Sequence, residues 1–209
     1  GKRLFHRGFG WAVENNLLTD YKVVVLAVDE SIVSSSIQRN WLEGSELKLD
    51  DATKIIGCYK ALAKIGLAES KDSEKKPTPM KSAIAFCQNI AISKIFEEEF
   101  LNVVNEYIKN EKIDEKDKVD LKVEISHVDG SFNSIRRNDR LNWLSDNSKE
   151  NRCRILSNVR CLSEGVDVPA LDAVIFLHPR KSQIDIVQSV GRVMRRAEGK
   201  DIGYVIIPI

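Results

Sequence analysis

Short apolar runs rich in β-branched residues alternate with longer segments of helical periodicity along this chain of 209 residues. Apolar runs of this length, bounded by polar residues, are typical of strands buried in a sheet. Because helical segments separate them, we predict right-handed crossovers and an α/β fold of three layers, in which a mostly parallel sheet has helices on both faces. The predicted strands are residues 21–28, 81–87, 121–127, 154–157, 173–177 and 202–207. The predicted helices are residues 9–16, 50–67, 90–109, 133–145 and 182–193.

The first strand and the second helix carry more specific predictions. The strand is continuously apolar from residue 23 to residue 28, and we expect it to be buried on both faces. In the helix, Asp50 or Asp51 is the predicted N-cap, and a charged loop, ESKDSEKKPTP, follows at residues 69–79. Positions at helical spacing on this helix are predicted to share one buried side: Ile55, Ile56, Tyr59, Leu62, Ala63 and Gly66.

The composition limits the partners and the compartment of the protein. Lysine and arginine number 32 against 31 aspartate and glutamate residues, so the net charge is +1 and any nucleic-acid surface must be a local patch. The four cysteines form no C-x-x-C pair, which predicts buried or free thiols of a reducing compartment. Because no signal peptide and no run long enough to span a bilayer is present, we predict a cytoplasmic protein without a membrane partner. The cysteines are Cys58, Cys87, Cys153 and Cys161.

An arginine-rich segment ends the last predicted helix. Gln188, Arg192 and either Arg195 or Arg196 recur at spacings of three and four, so we predict that they lie along one helix face. Such a face can bind phosphate oxygens through planar guanidinium groups. Taken alone, the pattern also fits a solvated basic helix end, where cations offset the helix dipole.

Other catalytic patterns are incomplete in the sequence. No phosphate-binding loop of the form G-x-x-x-x-G-K-[ST] is present. Asp29 and Glu30 follow a strand in the manner of a magnesium-binding pair, but they also fit ordinary polar residues at a strand end. The histidines His6, His127 and His178 are scattered without a serine or cysteine signature, so we predict neither a hydrolase triad nor a metal site.

Residues 154–196 resemble the helicase C-terminal domain, the second RecA-like domain, of superfamily 2 helicases and translocases. The segment QSVGRVMR at residues 188–195 matches the sixth motif of that superfamily, Q-x-x-G-R-x-x-R, and SNVRCLSEGVDVP at residues 157–169 matches the fifth. The match is specific because two motifs occur in order and at the expected separation. KSAIAFCQ at residues 81–88 is similar to the fourth motif, and the turn at Asp129 and Gly130 resembles the segment that follows it.

Within the superfamily, GVDVPALDAVIF and VGRVMRR are most similar to the motor subunits of type ISP, type III and type I restriction enzymes. The resemblance implies that residues 1–209 form a single RecA-like domain, of the P-loop NTPase kind, with a helical insertion and charged loop at about residues 45–79. The chain begins without methionine and ends on an apolar run, so we expect a fragment of a larger protein.

The resemblance further implies a composite nucleotide site. In this superfamily ATP with Mg²⁺ lies between two RecA-like domains, and the first domain supplies the phosphate loop and the magnesium ligands. Arg192 and Arg195 would contact the γ-phosphate, one of them as an arginine finger, and Gln188 would orient the γ-phosphate or the attacking water. The cofactor-binding positions would be Gly165, Asp167 and Gly191. Asp167 fits equally well as a turn residue or N-cap before a proline.

The same family follows one nucleic-acid strand through backbone contacts. Gln88 and Asn89 after the fourth motif, and Asn158 and Arg160 in the fifth, are the predicted phosphate contacts, although short polar residues after strands are also common loop formers. Our leading hypothesis is the second motor domain of an ATP-dependent DNA helicase or translocase from a restriction-modification enzyme, with DNA preferred over RNA and no ATPase activity in the isolated chain. The alternative is a catalytically inert nucleic-acid-binding or interaction module with a degenerate helicase domain.

Overall fold

The structure, a computed structural model, describes residues 7–27, 48–67, 78–110, 119, 121–146, 151–159, 162, 171–180 and 182–209. Its elements in chain order are α1 (Phe9–Glu14), β1 (Asp20–Leu26), α2 (Leu49–Leu62), β2 (Ser82–Phe86), α3 (Ile90–Asn110), β3 (Lys122–His127), α4 (Ser134–Ser145), β4 (Arg152–Asn158), β5 (Ala173–Phe176), α5 (Gln183–Val193) and β6 (Ile202–Pro208).

The described strands form one six-stranded sheet in the order β1-β6-β5-β2-β4-β3, and every neighbouring pair is parallel. Helices α2 and α3 pack on one face of the sheet, and α1, α4 and α5 pack on the other. The predicted three-layer α/β fold is therefore confirmed. Within the described part of the chain, no helix combines the length and the apolar character needed to cross a membrane.

Alternate residues of the central strands serve the two faces of the sheet. In β2, Ala83 and Ala85 belong to the core beneath α2 and α3, whereas Ile84 and Phe86 belong to the core beneath α4 and α5. Since both faces are covered, successive side chains are buried in opposite directions and the strand reads as one apolar run. The central strands were predictable from sequence for this reason.

Strand β1 departs from the prediction of burial on both faces. Among the described strands it lies at the edge of the sheet and pairs with β6 alone. On the side of α1, Phe9 contacts Tyr21 with ring centroids 6.5 Å apart. Farther along that face, Val23 and Val25 remain 54% and 57% exposed. The prediction was wrong because an apolar run alone does not distinguish a central strand from an edge strand.

The predicted N-cap of α2 was also wrong. The N-cap position is Lys48, whose side chain makes no capping hydrogen bond, and Asp50 and Asp51 lie in the first turn of the helix. Carboxylates in the first turn also interact favourably with the helix dipole, so the same acidic signal fits both places. Gly66 lies beyond the end of the helix and is exposed, with φ 72°. The other predicted core positions are buried: Ile55, Ile56, Tyr59, Leu62 and Ala63.

The described cysteines are free and buried, as predicted. Cys58, Cys87 and Cys153 make no disulfide. Burial raises the pKa of each thiol, to about 12 for Cys87. A thiol with a raised pKa carries little thiolate at neutral pH and is therefore inert. Cys161 lies outside the described residues.

A buried arginine on β4 joins helix α4 to the sheet. Arg154 is 7% exposed, and its Nε donates to Glu124 Oε2 at 3.0 Å. Its Nη1 donates to Trp143 O at 2.6 Å, to Asp146 O at 2.9 Å and to Asp146 Oδ2 at 2.9 Å. Burial opposes the charge, but the hydrogen bonds to Glu124 and Asp146 prevail and raise the pKa of Arg154. The C-terminal end of α4 is thereby fixed to β4.

Candidate functional site

The carboxyl ends of the parallel strands meet along one edge of the sheet, and helices α3 and α4 are among those that begin there. After β2, Gln88 and Asn89 are exposed, and Asn89 Oδ1 accepts a hydrogen bond from Ile92 N at 2.8 Å at the start of α3. After β3, Asn133 Oδ1 accepts from Arg136 N at 2.9 Å and caps α4. Because helix N-termini carry partial positive charge, this edge suits anionic groups.

The structure separates the predicted phosphate-contact residues. Gln88 and Asn89 are exposed at the carboxyl edge. Asn158 is fully buried, its Nδ2 donates to Ala85 O at 3.3 Å, and its Oδ1 has no hydrogen-bond partner among the described residues. Its side chain therefore holds the end of β4 against β2 and does not reach the surface. Arg160 lies outside the described residues.

A buried chain of hydrogen bonds lies beneath the same edge. Ser93 Oγ is 2.7 Å from His127 Nδ1 and 3.0 Å from Ser157 Oγ. His127 Nε2 is 3.0 Å from Asp129 Oδ2, and because a carboxylate only accepts, Nε2 carries the hydrogen. Asp129 Oδ1 accepts from Ser131 N at 2.8 Å and from Ser131 Oγ at 2.5 Å. The network ties the first turn of α3 to the ends of β3 and β4.

Serine, histidine and aspartate follow one another here in the order of a hydrolase triad, which the sequence did not predict. Ser93 is completely buried and therefore has no surface to offer a substrate. The imidazole of His127 is also reversed, since Nδ1 and not Nε2 faces the serine. We interpret the network as structural. Local sequence spacing does not predict this network, because Ser93 and His127 are 34 positions apart.

The stability of the protein should depend on the ionisation of Asp129. Hydrogen bonds from Ser131 and His127 lower the pKa of Asp129 from 3.8 to about 2. Because the folded-state pKa lies below the unfolded-state value, the carboxylate stabilises the fold above about pH 4, by about 2 kcal/mol, and this contribution is lost as the pH falls towards 2. The free energy of urea unfolding should therefore fall more steeply for the wild type than for Asp129→Asn between about pH 5 and pH 3. An identical pH dependence in both proteins would contradict this interpretation.

Helix α5 begins near the carboxyl ends of the strands and runs towards their amino ends, where the arginines lie. Ser182 caps its start and accepts a hydrogen bond from Asp185 N at 3.2 Å. The helix has 11 residues, a rise of about 16 Å, and ends at Val193. Met194 O then accepts from Thr19 N at 2.8 Å, just before β1 begins. The end of α5 therefore lies beside the amino end of β1.

The prediction that the arginines share one helix face requires a correction. Gln188 and Arg192 lie on α5, but Arg195 and Arg196 follow its C-terminal end. Gln188 and Arg195 are exposed, whereas Arg192 is 8% exposed. Arg196 Nη1 donates to Asn16 O at 2.6 Å. After Val193 the N–H groups of Met194 and Arg195 still bond back into the helix, whereas Met194 O accepts from Thr19 N outside it.

The side chain of Lys200 caps the C-terminal end of α5. Its Nζ donates to Val193 O and, at 3.1 Å, to Arg195 O. A cation at this end of a helix also offsets the dipole. Burial lowers the pKa of Lys200 to about 8, although the charge of Asp172 acts in the opposite direction. The turn that returns the chain to Lys200 contains Gly199 at φ 72°, in the left-handed region that favours glycine.

Of the predicted cofactor-binding residues, only Gly191 lies in the described part of the chain. A Cβ at this position would meet no atom within 4 Å, so the space beside this turn of α5 is open. Gly165 and Asp167, and also Asp29 and Glu30, lie outside the described residues. Across the described ranges, no group of three or more histidine, cysteine, aspartate or glutamate side chains is placed to hold a metal ion.

The parallel sheet between two helix layers is that of a RecA-like domain. The family model of the helicase conserved C-terminal domain matches residues 67–197, more than half of the chain, up to the arginines after α5. The chain belongs to the helicase conserved C-terminal domain family. The resemblance of the fifth and sixth motifs to superfamily 2 helicases is thus confirmed.

Individual relatives include restriction enzymes and a viral helicase. The structure of the ATP-dependent type ISP restriction-modification enzyme LlaBIII bound to DNA is 44% identical, with a TM-score of 0.82 over 98% of this chain and 13% of that chain. A fragment assigned as the HsdR subunit of a type I restriction enzyme from Vibrio vulnificus shares the fold, with 17% identity and a TM-score of 0.57 over 94% of this chain and 33% of that chain. A probable helicase of African swine fever virus is 42% identical over 55 residues, which are 26% of this chain and 6% of the viral protein. The chain therefore spans a small part of the length of these relatives.

Proposed function

We propose that this chain is the second motor domain of an ATP-dependent DNA helicase or translocase of a restriction-modification enzyme. The observation that carries the proposal is the exposed Arg195, placed directly after α5 on a turn whose backbone bonds to Thr19 and Lys200. The similarity to LlaBIII over 98% of the chain supports the same function. In this proposal residues 1–209 act as one domain, and its partner is a first RecA-like domain of the same polypeptide.

Arg195 is the arginine finger of the proposed mechanism. Its exposed guanidinium can reach a γ-phosphate presented by the other domain, whereas the largely buried Arg192 adds positive charge from within the helix end. Gln188, exposed one turn before Arg192, orients the γ-phosphate or the attacking water. ATP with Mg²⁺ supplies the phosphoryl group and the neutralising metal, and it is held mainly by the first domain. Arg195 lowers the barrier by stabilising charge on the transferring group.

In the same proposal, DNA binds at the edge formed by the carboxyl ends of the strands. The N-termini of α3 and α4, with exposed Gln88 and Asn89, present donors to backbone phosphates, and exposed Arg136 and Arg140 add positive charge. Contacts of this kind fix position without reading the base sequence. Arg195 lies towards the amino ends of the strands. In this proposal the nucleotide and the nucleic acid therefore occupy different sides of the domain. Movement of the two domains then couples one site to the other.

The isolated chain should bind single-stranded DNA weakly, with an affinity that falls as salt rises, and should not hydrolyse ATP. Asn89→Asp keeps the acceptor that caps α3 but adds a negative charge at the carboxyl edge. We expect this variant to bind a fluorescent oligonucleotide roughly fivefold more weakly at low salt, about 1 kcal/mol, because of phosphate repulsion.

Asn102→Asp is the matched control for this experiment. Asn102 is exposed on the same helix, and the substitution changes the net charge equally, but it lies farther from the helix N-terminus. Its affinity should equal that of the wild type. Equal weakening by both variants would mean that only the overall charge matters and would remove the carboxyl edge from the proposal. ATP hydrolysis by the isolated chain would refute its assignment as half of a motor.

A further inference from the structure

The turn that carries Arg195 is bonded on both sides to residues outside α5. On one side, Thr19 N donates to Met194 O at 2.8 Å, and Arg196 Nη1 donates to Asn16 O at 2.6 Å. These bonds connect the turn to the segment between α1 and β1. The backbone on either side of Arg195 is therefore held by bonds that do not involve the Arg195 side chain.

On the other side, β6 and Lys200 hold the last residue of α5. A Cβ at Gly203 would lie 2.5 Å from Val193 O and 2.6 Å from Val193 Cγ1, so the strand and the helix end are in backbone contact. The helix end cannot move closer to β6 because of this contact. The bonds from Lys200 Nζ to Val193 O and Arg195 O oppose movement in the other direction.

We propose that Lys200 is a positioning residue for Arg195, since its ammonium group bonds to the carbonyls on both sides of Met194 and so fixes the backbone from which the arginine projects. The inference rests on the proposed function of Arg195 as the arginine finger. Lys200 itself need not touch the nucleotide. A displacement of about 1 Å in a catalytic group is enough to slow a reaction by roughly 100-fold, so the loss of these bonds has a measurable consequence.

The test uses the longer polypeptide that carries this chain together with a phosphate-binding domain, with ATP turnover measured at saturating DNA. Lys200→Met keeps the length of the side chain but removes its donors, and kcat should fall roughly tenfold to 100-fold while the KM for ATP changes less than about twofold. Lys200→Arg retains charge and donors and should remain within about threefold of the wild type. Lys122→Met removes an exposed lysine from β3, the edge strand farthest from β1, and should change neither kcat nor the KM for ATP.

The outcomes separate this inference from the function on which it rests. If Arg195→Ala is slow but Lys200→Met turns over like the wild type, Lys200 does not position the finger. If Lys200→Arg is as slow as Lys200→Met, hydrogen-bond donation is not the cause, and the inference also fails. If Arg195→Ala itself turns over normally, the proposed role of Arg195 as the arginine finger is wrong. The inference is supported if Lys200→Met turns over slowly with an unchanged KM and Lys200→Arg restores the rate. Rates are calculated per amount of folded protein, which circular dichroism measures.

Discussion

In the proposed motor, replacing Arg195 with alanine should lower kcat for ATP hydrolysis by about 10³-fold to 10⁵-fold, the range typical of arginine fingers. In the proposed mechanism the effect is large because the guanidinium stabilises charge that develops only in the transition state. The fold should be retained, since the side chain is exposed and lies outside helix α5. Steady-state turnover together with thermal unfolding of the same preparation checks both parts.

Two neighbouring arginines provide the comparison for this prediction. Arg192→Ala should also lose ATPase activity, and because Arg192 is 8% exposed it should lower the unfolding temperature as well. Arg196→Ala removes a guanidinium that donates to Asn16 O, and turnover should change only severalfold. Normal turnover in both Arg192→Ala and Arg195→Ala would contradict the motor hypothesis. Absence of ATP turnover in the wild-type polypeptide would instead favour the inert binding module with a degenerate helicase domain.

Arg154→Ala should reduce the free energy of unfolding of the chain by about 3 kcal/mol, because it removes a buried guanidinium from two partly exposed carboxylates and leaves two carbonyls at the end of α4 without this donor. Arg154→Lys should recover less than half of that loss, since a single ammonium cannot span Glu124, Asp146 and Trp143 as the planar guanidinium does. Urea unfolding followed by tryptophan fluorescence is a suitable measurement, because Trp143 lies 5.3 Å from the guanidinium carbon.

Arg152 supplies a matched control on the same strand. It also pairs with Glu124, at 3.1 Å, but it makes none of the bonds to α4. Arg152→Ala should therefore cost less than about 1 kcal/mol, as is usual for more accessible pairs. Equal losses for the two variants would mean that the pairing with Glu124, and not the attachment of α4, gives Arg154 its importance.

Local sequence signals located the strands and helices but not the margins of the sheet. β2 and β5 were predictable because both faces are covered and every residue of the strand is apolar or small. The run containing Val23 and Val25 carries the same signal, yet one of its faces is largely exposed. Which strand is central depends on strand order, and strand order is decided by contacts between distant segments. The aspartates of α2 show a similar ambiguity, since a first-turn carboxylate resembles an N-cap in sequence.

The candidate site shows the same division between local and distant causes. The spacing of Gln188 and Arg192 correctly placed both on one helix. The end of that helix depends on Lys200 and Thr19, whose contribution no local pattern reveals. Asn158 follows the motif expected for a phosphate contact, but its amide donates into the interior. Side-chain direction at a strand end is set by tertiary packing, so residue type alone does not predict it.

The pairing of β1 with β6 has a consequence for the order in which the chain can fold. Asp20 is opposite Ile202, and β6 lies between β1 and β5, so the earliest described strand pairs with a described neighbour that follows about 180 residues later. Closing so long a loop carries an entropic cost before any contact compensates it, and such pairings slow folding. The turn bearing Arg195, bonded to residues just before β1, is therefore completed in the same late step. A domain still emerging from the ribosome would have strands β2 to β5 in place before the turn bearing Arg195 was complete.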